Sequence, residues 1–285
     1  MLYPIKQLNL QPSFYQINDD FTPVWSNLDE LVNNKTKAIV MVHYFGQPQD
    51  IFAFQGFCKR FNLFLIEDNA HGYWGKFNGK LLGTFGDLGI SSPRKLINTY
   101  SGGILWLRDQ NLENIPQLLP YPVSLGYELR KKFFVHFPTI KNQMKKLIKK
   151  RPQFEDPRAF KESEISDYSI DKFSQKVLEM IDWNLLMKKR QICYAAWNQF
   201  ALENELTPAY DRLYDGANPW CFPSYAKNQR KAIRWFNWGW ENNINVFSWP
   251  QLPETVIKNN SSALDRWRRL VCFDTNSFPD NIHCI

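Results

Sequence analysis

Long apolar runs, paired cysteines and internal repeats are all missing from this sequence of 285 residues. No apolar run approaches the ~18–20 residues of a membrane span, and the first residues do not have the basic start and apolar centre of a secretion signal. The five cysteines are an odd number, lie far apart and form no C-x-x-C pair, which argues against a disulfide framework and against a zinc site. We therefore expect a cytoplasmic protein with reduced thiols, no membrane span and no bound metal.

Hydrophobic and aromatic residues, by contrast, are plentiful. They make up 44% and 16% of the chain, which excludes a disordered chain, a collagen-like chain and a coiled-coil rod. The length suffices for one sizeable core or for a two-domain enzyme. The composition thus predicts a folded protein and leaves its activity open.

The net charge of +7 comes from one short segment. Residues 128–151 contain nine basic side chains and one acid, whereas the other 26 basic and 27 acidic residues nearly balance. Three interpretations stay open for this segment: a solvated helix with cationic faces, attraction of an anionic substrate or an acidic membrane surface, and nucleic-acid binding. No recognition motif accompanies the segment, so nucleic acid is the least favoured of the three.

The first hundred residues alternate between strand and helix patterns. The apolar runs Ala38–Val42 and Leu63–Ile66 are typical of buried strands. Asp50, between them, is a good N-cap for a helix that places apolar residues on one side: Ile51, Phe54, Phe57, Cys58 and Phe61. Strand, helix and strand form a βαβ unit, which predicts a parallel sheet. Further elements are expected as strands at 13–17, 88–90 and 103–107 and as a short helix at 28–32.

The rest of the chain favours helices with a few strands. Residues 177–200 show one long helical pattern, and further helices are predicted near 227–242 and 261–270. Strand-like stretches lie at 244–247 and 271–273. The pattern predicts an α/β fold in which a mainly parallel sheet domain precedes a smaller α+β domain. The expected parts are a partial large domain at 1–125, a basic connecting segment at 126–169 and a small C-terminal domain at 170–285.

Chemically active side chains follow the predicted parallel strands, where ligands of open α/β sheets bind. Asp68 follows one strand, and Ser92 and Lys95 follow another. Pyridoxal phosphate (PLP) needs a lysine amine that forms an imine and moves a proton, a carboxylate beside the pyridine nitrogen, and hydroxyl or N–H groups for the phosphate. By position, Lys95, Asp68 and Ser92 fit these roles. His43, at the end of the first strand, is expected to be structural, because a lone histidine needs partners to be catalytic.

At this point the sequence resembles a known family. An ordered set of motifs is similar to the DegT/DnrJ/StrS sugar aminotransferases, which are PLP enzymes of the aspartate-aminotransferase fold. The motifs are Lys37–Gly46, Ile66–Gly72, Gly83–Asp87, Ser92–Lys95 and Gly102–Gly103. The resemblance covers about residues 14–107, and a weaker one to the family's small domain continues at 220–223, 245–250 and 270–273. The ordered set, more than any single motif, carries the resemblance.

The resemblance implies a role for each of four residues. Lys95 would be the imine-forming lysine and general base, and Asp68 would pair with the pyridinium nitrogen. His71 would lie near the phenolic oxygen of the cofactor, and Ser92 would contact the phosphate. The implied reaction moves an amino group, usually from glutamate, onto a keto carbon of a nucleotide-linked sugar, in cell-surface polysaccharide or related sugar biosynthesis. Family members are typically homodimers that share sites between subunits.

The sequence departs from the family at its start. Met1–Ile5 matches a point partway through the family's large domain, so we expect the Gly-Thr phosphate-binding turn and the aromatic residue that stacks on the cofactor to be missing. Two main hypotheses therefore stand side by side. One is an aminotransferase that works through Lys95; the other is a non-catalytic family member that binds a nucleotide or a protein partner.

Overall fold

The computed structural model describes residues 2–97, 99–109, 118–122, 126, 154, 167–248 and 251–279. The basic segment 128–151 lies outside the described residues, and so do most residues of the predicted connecting segment 126–169. The three interpretations of that segment, and the predicted domain boundaries, therefore stay predictions.

Helices and strands alternate in the first half of the chain. The helices are α1 (Leu2–Gln7), α2 (Trp25–Leu31) and α3 (Ile51–Phe61). The strands are β1 (Ala38–Val42), β2 (Phe64–Asn69), β3 (Lys76–Phe77), β4 (Lys80–Leu81), β5 (Leu88–Ser91) and β6 (Ile104–Leu107). Short 3-10 turns occur at Tyr44–Gly46 and Pro93–Lys95.

The first sheet has the order β1-β2-β5-β6. Strands β1, β2 and β5 are parallel, and β6 runs antiparallel to β5, while β3 and β4 form a separate hairpin. The predicted mainly parallel sheet is thereby confirmed. Because the three parallel strands end at the same edge, the loops that follow them meet there.

Helix α3 follows the sequence prediction closely. The Asp50 side chain accepts a hydrogen bond from Ala53 N–H at 3.0 Å, which caps the first turn. Asn62 adopts the left-handed conformation (φ +52°) and ends the helix. The predicted apolar side buries Ile51, Phe54, Phe57 and Cys58 in a core shared with β1 and β2. The helix thus covers one face of the sheet.

The second half of the chain contains helices and a small antiparallel sheet. The helices are α4 (Lys172–Met180), α5 (Trp183–Glu203), α6 (Gln229–Glu241), α7 (Glu254–Asn259) and α8 (Ser261–Arg269). The strands are β7 (Thr207–Pro208), β8 (Cys221–Tyr225), β9 (Val246–Phe247) and β10 (Leu270–Asp274), in the order β7-β8-β10-β9. Trp197 of α5 is fully buried in the core between this sheet and its helices.

Two predicted elements are wrong in detail. The strand expected at 13–17 is reduced to one isolated bridge between Ile17 and Pro23. The single helix expected at 177–200 is two helices, because Asp182 interrupts the pattern and caps α5 through a hydrogen bond from Leu185 N–H. Among the described residues, no helix is long and apolar enough to cross a membrane.

The loop after β1 is anchored to the second half of the chain. Phe45 C=O accepts a hydrogen bond from Trp220 N–H at 2.9 Å. Gln47 donates through Nε2 to Arg212 C=O (2.7 Å). Gly46 has a positive φ of +88°, and a β-carbon there would lie 2.4 Å from Asn218 O, so only glycine fits. These contacts bring Trp220 to the edge where the parallel strands end.

Candidate active site

Asp68 lies at the carboxyl end of β2, and its side chain is 7% exposed. Its Oδ1 accepts a hydrogen bond from Ala70 N–H at 2.9 Å. Burial raises the pKa of Asp68, while Ala70 N–H and the positive charge of Lys95 act in the opposite direction. Among the residues that the structure describes, no hydrogen bond engages the second carboxylate oxygen, Oδ2. This oxygen can therefore accept a hydrogen bond from a ligand.

His71 is buried in the loop that follows Asp68. Its Nδ1 accepts a hydrogen bond from Phe45 N–H at 3.2 Å, so Nε2 carries the ring proton. Burial, and next the charge of Lys95, hold the pKa of His71 well below its ordinary value. The ring is therefore a neutral imidazole whose Nε2–H can donate a hydrogen bond.

Lys95 ends the 3-10 turn that follows β5. Its side chain is exposed, and its Nζ lies 5.1 Å from the centroid of the Trp220 ring. Desolvation by the surrounding protein lowers the pKa of Lys95, against an opposing effect of Asp68, and Arg94 lowers it further. The amine thus combines access to solvent with a weakened hold on its proton.

Ser92 precedes this turn and is half-buried. Its carbonyl oxygen accepts a hydrogen bond from Lys95 N–H at 3.1 Å. Its hydroxyl does not cap the turn and has no hydrogen-bond partner within the described part of the chain. The turn therefore holds Ser92 and Lys95 together and leaves the hydroxyl available to a ligand.

His43 and Glu67 form a buried pair beneath the site. The Nε2 of His43 lies 2.9 Å from Glu67 Oε1, and its Nδ1 accepts from Gln49 N–H at 3.0 Å. Glu67 also accepts hydrogen bonds from backbone N–H groups, those of Gly83, Phe85 and Gly86. This arrangement agrees with the structural role predicted for His43. The sequence did not reveal that Glu67 is buried and accepts hydrogen bonds from His43 and from these backbone groups.

Trp220 is the site residue that sequence reasoning missed. Its ring centroid lies 4.7 Å from that of His71, and the Lys95 amine lies over its face. It belongs to the motif Trp220–Pro223, which the sequence resemblance included without a role for the side chain. The 5.1 Å ring contact with Phe247 supports it from the second sheet.

The structure therefore brings Asp68, His71 and Lys95 together, with Ser92 beside Lys95. Such a set offers a carboxylate for a cationic ring nitrogen, a neutral N–H donor, an amine that can move a proton and a hydroxyl for an anion. Across the described residues, no group of three histidine, cysteine, aspartate or glutamate side chains could hold a metal ion.

Comparisons with known proteins identify relatives of this chain by sequence. GDP-perosamine synthase from Escherichia coli O157:H7 is 37% identical over 111 residues, which represent 38% of this chain and 30% of that protein. The chain spans less than a third of the length of the curated relatives that it matches.

Solved structures share the fold over almost the whole chain. An aminotransferase from Helicobacter pylori involved in the biosynthesis of pseudoaminic acid has a TM-score of 0.64 at 18% identity, covering 96% of this chain and 71% of its own. The E. coli GDP-4-keto-6-deoxy-D-mannose-3-dehydratase, solved with bound hydrated PLP, has a TM-score of 0.58 at 17% identity. The match covers 95% of this chain and 71% of the dehydratase chain. At these identities the likeness shows the fold alone, and it confirms the predicted fold class.

A family assignment rests on a longer match. The sequence model of one family matches residues 2–147, slightly more than half of the chain, and this range includes all four predicted site residues. The chain belongs to the DegT/DnrJ/EryC1/StrS aminotransferase family.

Proposed function

We propose that this chain is a PLP-dependent aminotransferase that acts on a nucleotide-linked keto sugar. The observation that carries the proposal is the amine of Lys95, whose pKa is lowered and which lies within electrostatic reach of Asp68 and His71. Perturbed titratable groups that converge at the carboxyl ends of parallel strands are typical of active sites in α/β folds.

The residues present fit PLP by the chemistry of their donors and acceptors. Asp68 would hold the protonated pyridine nitrogen through its second oxygen, and His71 would donate Nε2–H to the phenolic oxygen. Ser92 would donate its hydroxyl to the phosphate, and Lys95 would bind the cofactor covalently. When bound, PLP supplies an electron sink for the negative charge that develops at the substrate carbon.

The proposed chemistry of the protein is proton movement by Lys95. A lowered pKa leaves more of the amine unprotonated near neutral pH, so Nζ can accept a proton from one carbon and return it to another. The carboxylate of Asp68 stays fixed by Ala70 N–H, which keeps its charge in place during the reaction. Neutral His71 donates a hydrogen bond without adding a second positive charge beside Lys95.

The substrate class is proposed from the named relatives. One is GDP-perosamine synthase, and another, 33% identical over 101 residues, is a dTDP-4-dehydro-2,3,6-trideoxy-D-glucose 4-aminotransferase from Saccharopolyspora spinosa. Their names specify nucleotide-linked sugars. Glutamate as the amino donor, a homodimer and a cytoplasmic location complete the proposal.

A second candidate is a non-catalytic family member that binds a nucleotide or a protein partner. One specific observation favours it: the match to a protein named pleiotropic regulatory protein from Geobacillus stearothermophilus, 38% identical over 101 residues. In this case the site residues would keep their positions while the chain performs no amino transfer.

Titration of the purified chain with PLP tests the proposal. We expect a visible absorbance band that saturates with PLP, disappears in Lys95→Ala and persists in Lys176→Ala, an exposed lysine on α4 that serves as the matched control. Amino transfer from glutamate to a nucleotide-linked keto sugar should then depend on the same lysine. A band of equal strength in Lys95→Ala, or no band at saturating PLP, would contradict the proposal and favour the second candidate.

A further inference from the structure

Arg190 lies in the middle of α5, and its side chain is 1% exposed. No carboxylate lies within ion-pair distance of it in the part of the chain that the structure describes. Its two terminal nitrogens instead donate to neutral oxygens on three separate segments of the chain: Leu96 O (2.7 Å), Pro219 O (3.2 Å), Trp220 O (3.2 Å), Thr275 Oγ1 (2.8 Å) and Asn276 Oδ1.

A buried guanidinium without an anionic partner is costly, because desolvation is only partly offset by neutral acceptors. Burial lowers the pKa of Arg190, while the charge of Asp274, which lies beyond ion-pair distance, acts in the opposite direction and only partly offsets burial. Arginine is nevertheless suited to the position, since its planar group offers donors in several fixed directions at once. A lysine or an apolar residue could not span the same set of acceptor oxygens.

Two of the acceptors connect Arg190 to the site. Leu96 is the residue that follows Lys95. The hydrogen bond that Arg190 donates to its carbonyl (2.7 Å) is shorter than those that Arg190 donates to the carbonyl groups of Pro219 and Trp220 (3.2 Å each). Trp220, whose carbonyl is held by the other nitrogen, is the residue whose ring faces the Lys95 amine. One side chain therefore fixes the backbone on both sides of the Lys95–Trp220 contact.

We propose that Arg190 is a positioning residue of the active site, which holds the turn of Lys95 against Trp220. The inference rests on the proposed function, because it assigns Arg190 a purpose in orienting the reactive amine. Without Arg190, the carbonyl of Leu96 loses its donor, and Trp220 C=O keeps only the hydrogen bond from the Thr275 hydroxyl (3.0 Å). The side chain that joins the two segments is then gone, and we expect the segments to separate. The Lys95 amine then leaves the ring face and becomes more hydrated, so its pKa should rise toward that of an ordinary lysine.

Labelling of the protein without cofactor provides the main test. The rate at which an amine-selective reagent (acetic anhydride) modifies Lys95 is followed from pH 7 to 11 by peptide mass spectrometry. Arg190→Lys keeps the positive charge but not the planar fork, and Arg190→Met removes both. Arg266→Lys is the matched control, because Arg266 is also buried and donates to a backbone carbonyl, that of Ile17, remote from the Lys95 turn.

We expect the labelling midpoint of Lys95 to rise in both Arg190 variants and to stay unchanged in Arg266→Lys. A rise in Arg190→Lys separates a loss of position from a loss of charge. PLP should also bind these variants less tightly by roughly tenfold, the lower end of what losing an orienting residue costs in metal sites. If the Arg190 variants do not fold, Thr275→Val removes one acceptor and should raise the midpoint by a smaller amount.

The outcomes of the two proposals can be told apart. A normal labelling midpoint in folded Arg190→Lys and Arg190→Met, or in Thr275→Val when those two do not fold, would overturn the positioning role even if wild-type protein binds PLP through Lys95. Conversely, wild-type protein that binds no PLP refutes the proposed function, while a midpoint that still depends on Arg190 would uphold the positioning of the amine.

Discussion

Replacement of Glu67 by glutamine perturbs the most heavily hydrogen-bonded carboxylate beneath the site. Glu67 is fully buried, and its two oxygens accept four hydrogen bonds, at 2.9 Å from His43 Nε2 and at 2.6, 2.6 and 3.0 Å from the N–H groups of Gly83, Phe85 and Gly86. Burial alone would raise the pKa of Glu67. The hydrogen bond from His43 and those from the backbone outweigh burial and lower it.

The magnitude follows from these contacts. Glutamine has the same shape but only one acceptor oxygen, and its NH₂ group would face N–H donors. At least one pair of hydrogen bonds to a charged acceptor is then lost, at about 1.5–3 kcal/mol each. We expect a total loss of about 3–5 kcal/mol, which is also the usual cost of breaking a buried charged pair. For a protein of this size the melting temperature should fall by roughly 6–20 °C.

Urea and thermal unfolding, followed by circular dichroism at pH 7, would measure this loss. Glu205→Gln is the control, because this side chain is 81% exposed and its replacement should change stability by less than about 0.5 kcal/mol. Since the pKa of Glu67 is lowered in the folded state, its stabilisation is complete above the unfolded pKa of about 4.3 and is lost as the pH falls through the folded pKa. A loss below about 1 kcal/mol at pH 7 would refute the reasoning.

Four further substitutions test the packing, the helix cap and the site. Gly89→Ala places a β-carbon 1.7 Å from Gly83 O and should abolish soluble expression or lower the melting temperature sharply. Gly56→Ala, in open space on α3, should instead stabilise the protein by about 0.5–1 kcal/mol. Equal effects of the two substitutions would contradict the packing argument. Asp50→Ala should cost about 1 kcal/mol in urea unfolding through loss of the α3 cap, and no loss would mean that the cap does not stabilise the helix. Because burial raises the pKa of Asp68, Asp68→Asn should raise the melting temperature at pH 7 and show no such gain below the unfolded pKa of about 3.9, while PLP binding weakens; a lower melting temperature at pH 7 would contradict this sign.

Local patterns were sufficient to predict the elements that carry the site. Helix α3 was predictable because its N-cap and its apolar side lie within twelve consecutive residues, 50–61. The roles of Asp68 and Glu67 could not be told apart in the same way. Adjacent residues in a strand point to opposite faces, and the local pattern does not show which face is packed and which one faces the site. In the structure Glu67 faces the packed side of the sheet and bonds to the loop at 83–86, while Asp68 faces the site.

Contacts between distant segments were not predictable. Arg190 lies 94 residues from Leu96, and in the helical pattern of α5 an arginine is expected to point to solvent. Trp220 likewise meets Lys95 and His71 only through the tertiary fold. A sequence without aligned relatives contains the identities of these residues but not the distances between them.

The anchoring of the loop after β1 has a consequence for synthesis of the chain. Tyr44 and Gln47 find their hydrogen-bond partners, Tyr210 and Arg212, some 165 residues later. At ~5–20 residues per second, a ribosome needs roughly 8–33 s to travel that distance. During this interval the nascent first half can form α3 and the parallel strands. The loop after β1 lacks its contact with Trp220 until that residue has been synthesised. The hydrogen bonds that anchor this loop are thus completed only after most of the chain has been synthesised.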